Sequence, residues 1–384
     1  MELEFSPEQE LLRETVRGLC ARHADLDVVR ALEDDPAGYP EKLWLQLAEL
    51  GLLGLTIPEE WGGSAMSMLD AMLVYEELGR ALVPSPHFVS SVMSGGVLAR
   101  AGTAAQRDAW LPRIASGDAI VTTAWLEPDR GFGSAGVQLI AEPDGDGWQL
   151  TGAKRHVPFA SVADRLLVLA RAAGTGDADN GVLLLLVDPN AAGVTLTQQM
   201  TIASDTQYRV DFTGVRVGSD DVVGAPGAAW PAWPAWNEVM YDGAILLAAQ
   251  AVGGARYALD ITVQYAKDRQ QFDKPLGAFQ AIAHYLSDAS TALDGAETLV
   301  WEAAWARSEN RPVTRLAPMA KLFACQTFRD ITAMSQQVFG GVGFTVEYDI
   351  QLYFRRAKEL QLSWWDTRHL EELVASDVLD AAPA

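Results

Sequence analysis

The chain has 384 residues, 49% of them apolar and 21% charged, and a net charge of −22. That length exceeds one ordinary core and implies two or three domains of a globular protein, not a disordered or fibrous chain. The acidity excludes a nucleic-acid backbone or an anionic membrane as the main partner and fits a well-solvated surface. Cys20 and Cys325 lie far apart with no disulfide spacing, which suits a reducing compartment and two buried thiols. The acidic N-terminus "MELEFSPEQE" does not read as a leader, and the longest aliphatic run, Val182–Val187, is too short to span a bilayer. These features predict a cytoplasmic protein without membrane insertion.

The elements fall into three zones. In "FSPEQELLRETVRGLC" Ser6 is placed as N-cap, Pro7 at the first helical position and Gln9 as the reciprocal partner of a capping box. Leu12, Val16 and Leu19 then share a helical face, and amphipathic runs follow in "EKLWLQLAELGLLGL" and "SMLDAMLVYEELGRAL". An N-terminal all-α domain over 1–118 results. From residue 119 the period shortens. "GDGWQLTG", "DRLLVLAR", "GVLLLLVD", "GVTLTQQ" and "QYRVDFTGVRV" are strand-length runs with no helical pattern between them, so 119–226 is expected to be an antiparallel β-barrel or sandwich. After a Pro/Trp-rich junction, "GAPGAAWPAWPAW", helical stripes dominate 227–384. They comprise Ala248 to Ala266, Ile282 to Ala303, Ala320 to Val338 and Ile350 to Leu360, which predict a four-helix bundle. The fold class is α+β, helical then β then helical.

Familiar chemical motifs are mostly missing. The five histidines show no metal-ligand spacing, so no metal site is predicted, and neither a Walker A loop nor a nucleophile elbow occurs. One pattern carries chemistry. "GGVG" from Gly340 follows a helix that bears Gln337, and "YAKDRQQFDKPLGAFQ" sets Arg269 at the end of another helix beside a turn. Glycines let a ligand phosphate approach the backbone, and arginine supplies its charge-assisted partner. A surface ion pair plus a helix stop is the competing reading.

The same residues carry a resemblance. "LAELGLLGLTIPEEWGG", "YEELGRAL", "LEPDRGFGSAG", "LTGAKRHVPFASVADRLLVLAR", "YAKDRQQFDKPLGAFQ" and "QVFGGVGFTVEYDIQLYFRRA" resemble, in order, the signatures of the acyl-CoA dehydrogenases over nearly the whole chain. The resemblance implies a helical–β–helical subunit in a dimer of dimers, with FAD as cofactor and an acyl-CoA thioester as substrate. A carboxylate would take the substrate's α-proton, and electrons would pass to an electron-transferring flavoprotein. It also implies that Arg269, Phe272, Gln280, Gln337, Gly340 and Gly341 hold the pyrophosphate and adenosine end of a neighbouring chain's FAD.

Several family positions are changed. The two places that carry the family's catalytic glutamate hold Trp364 and Gly243, leaving Asp366 and Asp242 nearby as candidate bases. Around the flavin ring the expected threonines and tryptophan are replaced by Leu126, His156, Pro158 and Asp366. A kept phosphate clamp beside a depleted ring site is similar to the catalytic-glutamate-lacking subunit of actinobacterial heteromeric enzymes that act on steroid side-chain thioesters. Two alternatives stand beside that expectation. One is a self-sufficient homotetramer with Asp242 or Asp366 as base; the other is a flavin-free scaffold in which Trp364 and Trp365 fill the acyl cavity.

Overall fold

The computed structural model describes residues 4–176, 179–224 and 232–380. The expected boundary at 226–227, most of the Pro/Trp-rich junction and the first three residues lie outside them. In chain order come α1 (Pro7–His23), α2 (Leu26–Ala31), α3 (Glu41–Glu49), α4 (Met68–Arg80), a π-helical stretch Phe88–Ser94, α5 (Gly95–Ala101) and α6 (Ala104–Ser116). Strands β1 (Val121–Ala124), β2 (Ile140–Asp144), β3 (Gly147–Pro158), β4 (Arg165–Ala172), β5 (Val182–Val187), β6 (Val194–Gln199) and β7 (Gln207–Val217) follow. Then come α7 (Ala232–Asp268), a miniature hairpin of β8 (Gln270–Gln271) and β9 (Lys274–Pro275), α8 (Gln280–Ser308), α9 (Leu316–Phe339), α10 (Ile350–Leu362) and α11 (Thr367–Leu379).

Two compact units share these elements. A helical unit draws on Met1–Arg30, Met68–Val83 and Ala244–Ala384, and a sheet unit on Ala31–Ser67 and Pro84–Gly243. In the sheet unit the strands are ordered β1-β4-β2-β3-β7-β6, with β5 branching from β4. The β2–β3, β3–β7, β4–β5 and β6–β7 pairings are antiparallel, as the strand-length runs suggest. The sheet is nevertheless mixed, because β4 runs parallel to both β1 and β2. The reason is visible in burial. Leu166 to Ala170 and all of β5 are buried without alternation, the mark of strands covered on both faces.

In the helical unit both bonds of the capping box form, with Gln9 N donating to Ser6 Oγ at 3.3 Å and Ser6 N to Gln9 Oε1 at 3.1 Å. The stripe on α8 is buried only from Leu293 onward; Ile282, Leu286 and Ala289 are half-exposed, so the first half of this helix has an apolar face that its own unit does not cover. On α9 the exposed Phe323 leaves the expected stripe, and Ala324 and Phe328 take its place in the core. The most apolar window of α7 is long enough to cross a bilayer but 72% buried, which marks it as a core helix.

Helix α1 is fixed to α4 by polar contacts. Gln9 Nε2 donates to Asp70 Oδ1 at 2.8 Å, and Arg17 binds Glu77 through two bonds of 2.9 and 2.7 Å. Between them Glu76 is buried, accepting from Trp301 Nε1 at 3.0 Å, with Arg13 3.7 Å away. Burial pushes its carboxyl up from 4.5 to about 7, and the Trp301 bond and the long Arg13 contact only partly oppose this. The folded state thus holds a proton that the unfolded chain releases. Stability is unaffected below 4.5, falls as pH rises to about 7, and stays lower above it by about 3 kcal/mol. Glu76→Gln should flatten that decline when thermal midpoints are compared at pH 5 and pH 8. An identical slope in both proteins would remove Glu76 as its source.

Candidate functional site

In the helical unit, α7 ends where Arg269 N donates to Tyr265 O at 2.9 Å, and Leu276 N then donates to Arg269 O at 2.9 Å. The segment between is not the simple turn expected from Pro275 and Gly277 but a two-residue hairpin, in which Gln271 pairs with Lys274. Its tip, Phe272 and Asp273, has left-handed backbone (φ 53° and 61°), as a type I′ turn requires. An aromatic residue there is strained, and Phe272 is 87% exposed besides. Among the described residues of its own unit, Phe272 makes one ring contact, an edge contact with Phe279 at 6.2 Å.

The ring of Tyr265 stacks on Phe339 at 4.2 Å, and its hydroxyl donates to Phe339 O at 3.4 Å. This joins the end of α7 to the end of α9, where Gly340 takes φ 68° and leaves the helix. Arg269 and the Gly340–Gly341 turn therefore flank one aromatic stack, while Gln337 and Gln280 lie exposed on the last turn of α9 and the first of α8. Arg269 is exposed and pairs with no acid among the described residues. Among the described residues, nothing beyond the adjoining ones lies within 4 Å of where a Cβ would stand on Gly340 or Gly341. A free guanidinium beside backbone open to close approach fits the diphosphate end of a dinucleotide such as FAD. A groove of about 520 Å³ between α7 and α8, lined by Val263, Ala266, Pro275, Leu286 and Ser290 among others, continues from the hairpin.

The base positions are occupied otherwise. In the sheet unit a Cβ on Gly243 would meet Met93 Sδ and the Phe88 ring at 3.0 Å, so a side chain there would have to push both aside. Asp242 beside it is buried and bound by Arg100 NH2 at 2.6 Å. In the helical unit Trp364 and Trp365 are both left-handed (φ 50° and 76°), and Trp365 is buried. The buried Lys321 Nζ holds that turn by donating to Leu360 O, Ser363 O and Trp365 O at 2.9, 2.9 and 3.0 Å. Asp366 caps α11, accepting from His369 N at 2.9 Å. Both candidate carboxylates therefore have structural partners, a neutralising arginine for one and a helix terminus for the other.

The residues expected around a flavin ring do not fit that role. Pro158 has no N–H to offer and its carbonyl accepts from Thr122, Leu126 offers only an aliphatic side chain, and His156 is exposed on a bulge. Sequence reasoning missed a buried pair in this region. Glu127 Oε1 lies 2.6 Å from Lys154 Nζ and also accepts from Gln138 N and Leu139 N at 2.8 Å. Both lie among other charged residues, Asp129 and Arg130 on one side and Arg155 and His156 on the other, so no local pattern singles them out. Among the described residues no group of three His, Cys, Asp or Glu side chains could hold a metal ion.

Comparisons with known proteins agree with this anatomy. Residues 6–118 match the model of the acyl-CoA dehydrogenase N-terminal domain, 122–215 the middle domain and 233–363 the C-terminal domain. The chain is 31% identical over 367 residues to the probable acyl-CoA dehydrogenase YngJ of Bacillus subtilis, covering 94% of this chain and 95% of that one. It is 32% identical over 355 residues to the acyl-CoA dehydrogenase IpdE2 of Mycolicibacterium smegmatis, covering 92% and 93%. A chain of the ChsE4-ChsE5 complex from Mycobacterium tuberculosis superposes with a TM-score of 0.88 at 25% identity, with full coverage of both chains. With all three domain models matched in order and relatives aligned end to end, the chain belongs to the acyl-CoA dehydrogenase family of FAD-dependent oxidoreductases.

Proposed function

We propose that this chain is the non-catalytic subunit of a heteromeric acyl-CoA dehydrogenase, and that it clamps the diphosphate end of FAD held mainly by an unlike partner. The observation that carries the reading is a contrast within one polypeptide. Arg269 and the Gly340–Gly341 turn are open and unpaired, whereas both base positions hold residues that cannot accept a proton. The FAD, when bound, takes the hydride from the acyl-CoA β-carbon. This chain's contribution is to bind and orient: Arg269 and Gln337 donate to phosphate oxygens, the two glycines let them approach, and Gln280 and the exposed Phe272 meet the adenosine end. Phe272, Tyr285, Phe344 and Val346, each more than half exposed, supply the apolar surface that the partner covers. An electron-transferring flavoprotein serves as acceptor, in the cytoplasm. The similarity to a chain of a two-component complex supports the unlike partner.

The missing base is testable without flavin turnover. In D2O, the purified chain alone should exchange the α-protons of a short acyl-CoA no faster than buffer does. Exchange that disappears in Asp242→Asn or Asp366→Asn would instead make this chain a self-sufficient dehydrogenase.

A further inference from the structure

In the sheet unit, β3 carries one residue too many. Lys154 pairs with Val210 and Val157 with Tyr208, so Arg155 and His156 together stand opposite Arg209. Lys154 and Val157 are fully buried, which leaves the two residues between them on the other side of the strand. The left-handed backbone of His156 (φ 53°) is the local strain of that arrangement.

His156 is exposed yet held at two points. Its amide donates to Gln199 Oε1 at 2.9 Å, and its Nδ1 lies 2.8 Å from Gln207 Oε1. The Nε2 of Gln207 donates to Asp205, whose other oxygen accepts from Thr201. A carboxylate only accepts, so the amide nitrogen must face Asp205 and the amide oxygen must face the ring. Nδ1 therefore carries a proton whether the imidazole is neutral or charged. Nε2 is left bare, without a partner among the described residues.

Arg155 completes the group. Its backbone amide donates to Leu126 O at 2.9 Å, but its guanidinium pairs with nothing among the described residues, and its Nε is buried without a bond. The other charged groups nearby are committed. Arg209 makes three bonds of 2.7 to 3.0 Å to Asp211, Lys154 is turned inward onto Glu127, and Asp205 is bonded by Gln207 and Thr201. One unpaired cation and one oriented ring nitrogen thus share the same bulge on a chain of net charge −22.

We propose that Arg155 and His156 form a subsite for a doubly charged oxyanion of the phosphate class. The guanidinium donates to two of its oxygens, and Nε2 takes a proton from solvent and donates it to a third. Gln207 and Asp205 are positioning residues that keep the proton on Nδ1. The subsite rests on the sheet unit alone and stands or falls separately from the subunit reading.

Calorimetric titration of the purified chain with sodium pyrophosphate, and with malonate as a dicarboxylate control, tests it. Pyrophosphate should bind and malonate should bind more weakly. Arg155→Gln, at a half-buried position, and His156→Gln, at an exposed one, should each weaken pyrophosphate by about tenfold. Nitrogen-15 spectra of the neutral ring in the free protein should place its proton on Nδ1, pyrophosphate should leave both nitrogens protonated, and Asp205→Asn should loosen the Nδ1 preference. Absence of binding, equal binding of malonate, or affinity unchanged in both variants would overturn the subsite, as would a free ring protonated at Nε2 only.

Discussion

Glu127→Ala should destabilise the sheet unit by about 3–5 kcal/mol, among the largest effects of any single side-chain truncation in the chain. The carboxylate faces Lys154, whose ammonium is fully buried, and removing it strands a charge that water cannot reach. Burial already pulls Lys154 down from 10.5 to about 8, and the neighbouring carboxylate is what offsets further loss. The substitution also leaves the Gln138 and Leu139 amides without their acceptor, loosening the start of the segment that becomes β2. Replacing both partners, as in Glu127→Leu with Lys154→Met, should recover much of the loss, because no unpaired charge remains. Denaturant unfolding of the single and double variants measures this. A single variant within 1 kcal/mol of the parent would mean that the pair is not what orders this region.

Arg269→Ala should leave the isolated chain folded and nearly as stable as the parent, since the side chain is exposed and unpaired. In the assembled heteromer it should weaken flavin retention by roughly 1.5–3 kcal/mol, the usual worth of a charge-assisted bond to phosphate. That is about a 10- to 150-fold loss of affinity, readable as flavin released on dilution. Arg269→Lys should fall between, because an ammonium keeps the charge but loses the planar fork. The contrast between an unchanged fold and a lost cofactor separates a binding role from a structural one. An assembly that keeps its full flavin content with alanine at this position would contradict the clamp.

The helices and their order were legible because they rest on local rules. The Ser6–Gln9 box, the apolar spacing from Ala248 to Ala266 and the glycine stop at Gly340 each involve residues close in sequence. What was illegible depends on partners far along the chain. The four-residue β1 has no alternation to announce it, and its parallel pairing with β4 is set by long-range packing. The Phe272–Asp273 hairpin lacks the asparagine–glycine signature of its turn type. The character of Asp242 is decided by Arg100, an arginine on α5 that no spacing rule connects to it. The stripe on α8 was read correctly as apolar, but its first half stays half-exposed because the helix outruns the core of its own unit. Around the candidate site, Arg269, Gln337 and the glycines stand in motifs that the sequence displays, while the tight packing of Met93 and Phe88 against Gly243 depends on the fold.

The most direct measurement is the flavin content of this chain purified alone and again after co-expression with an acyl-CoA dehydrogenase encoded beside it. A colourless chain alone, together with one flavin for each pair of unlike chains, is the result expected of a subunit that keeps the phosphate clamp and lacks the ring site. One flavin bound to every chain in the absence of any partner would contradict the divided site and return Asp242 and Asp366 to consideration as bases.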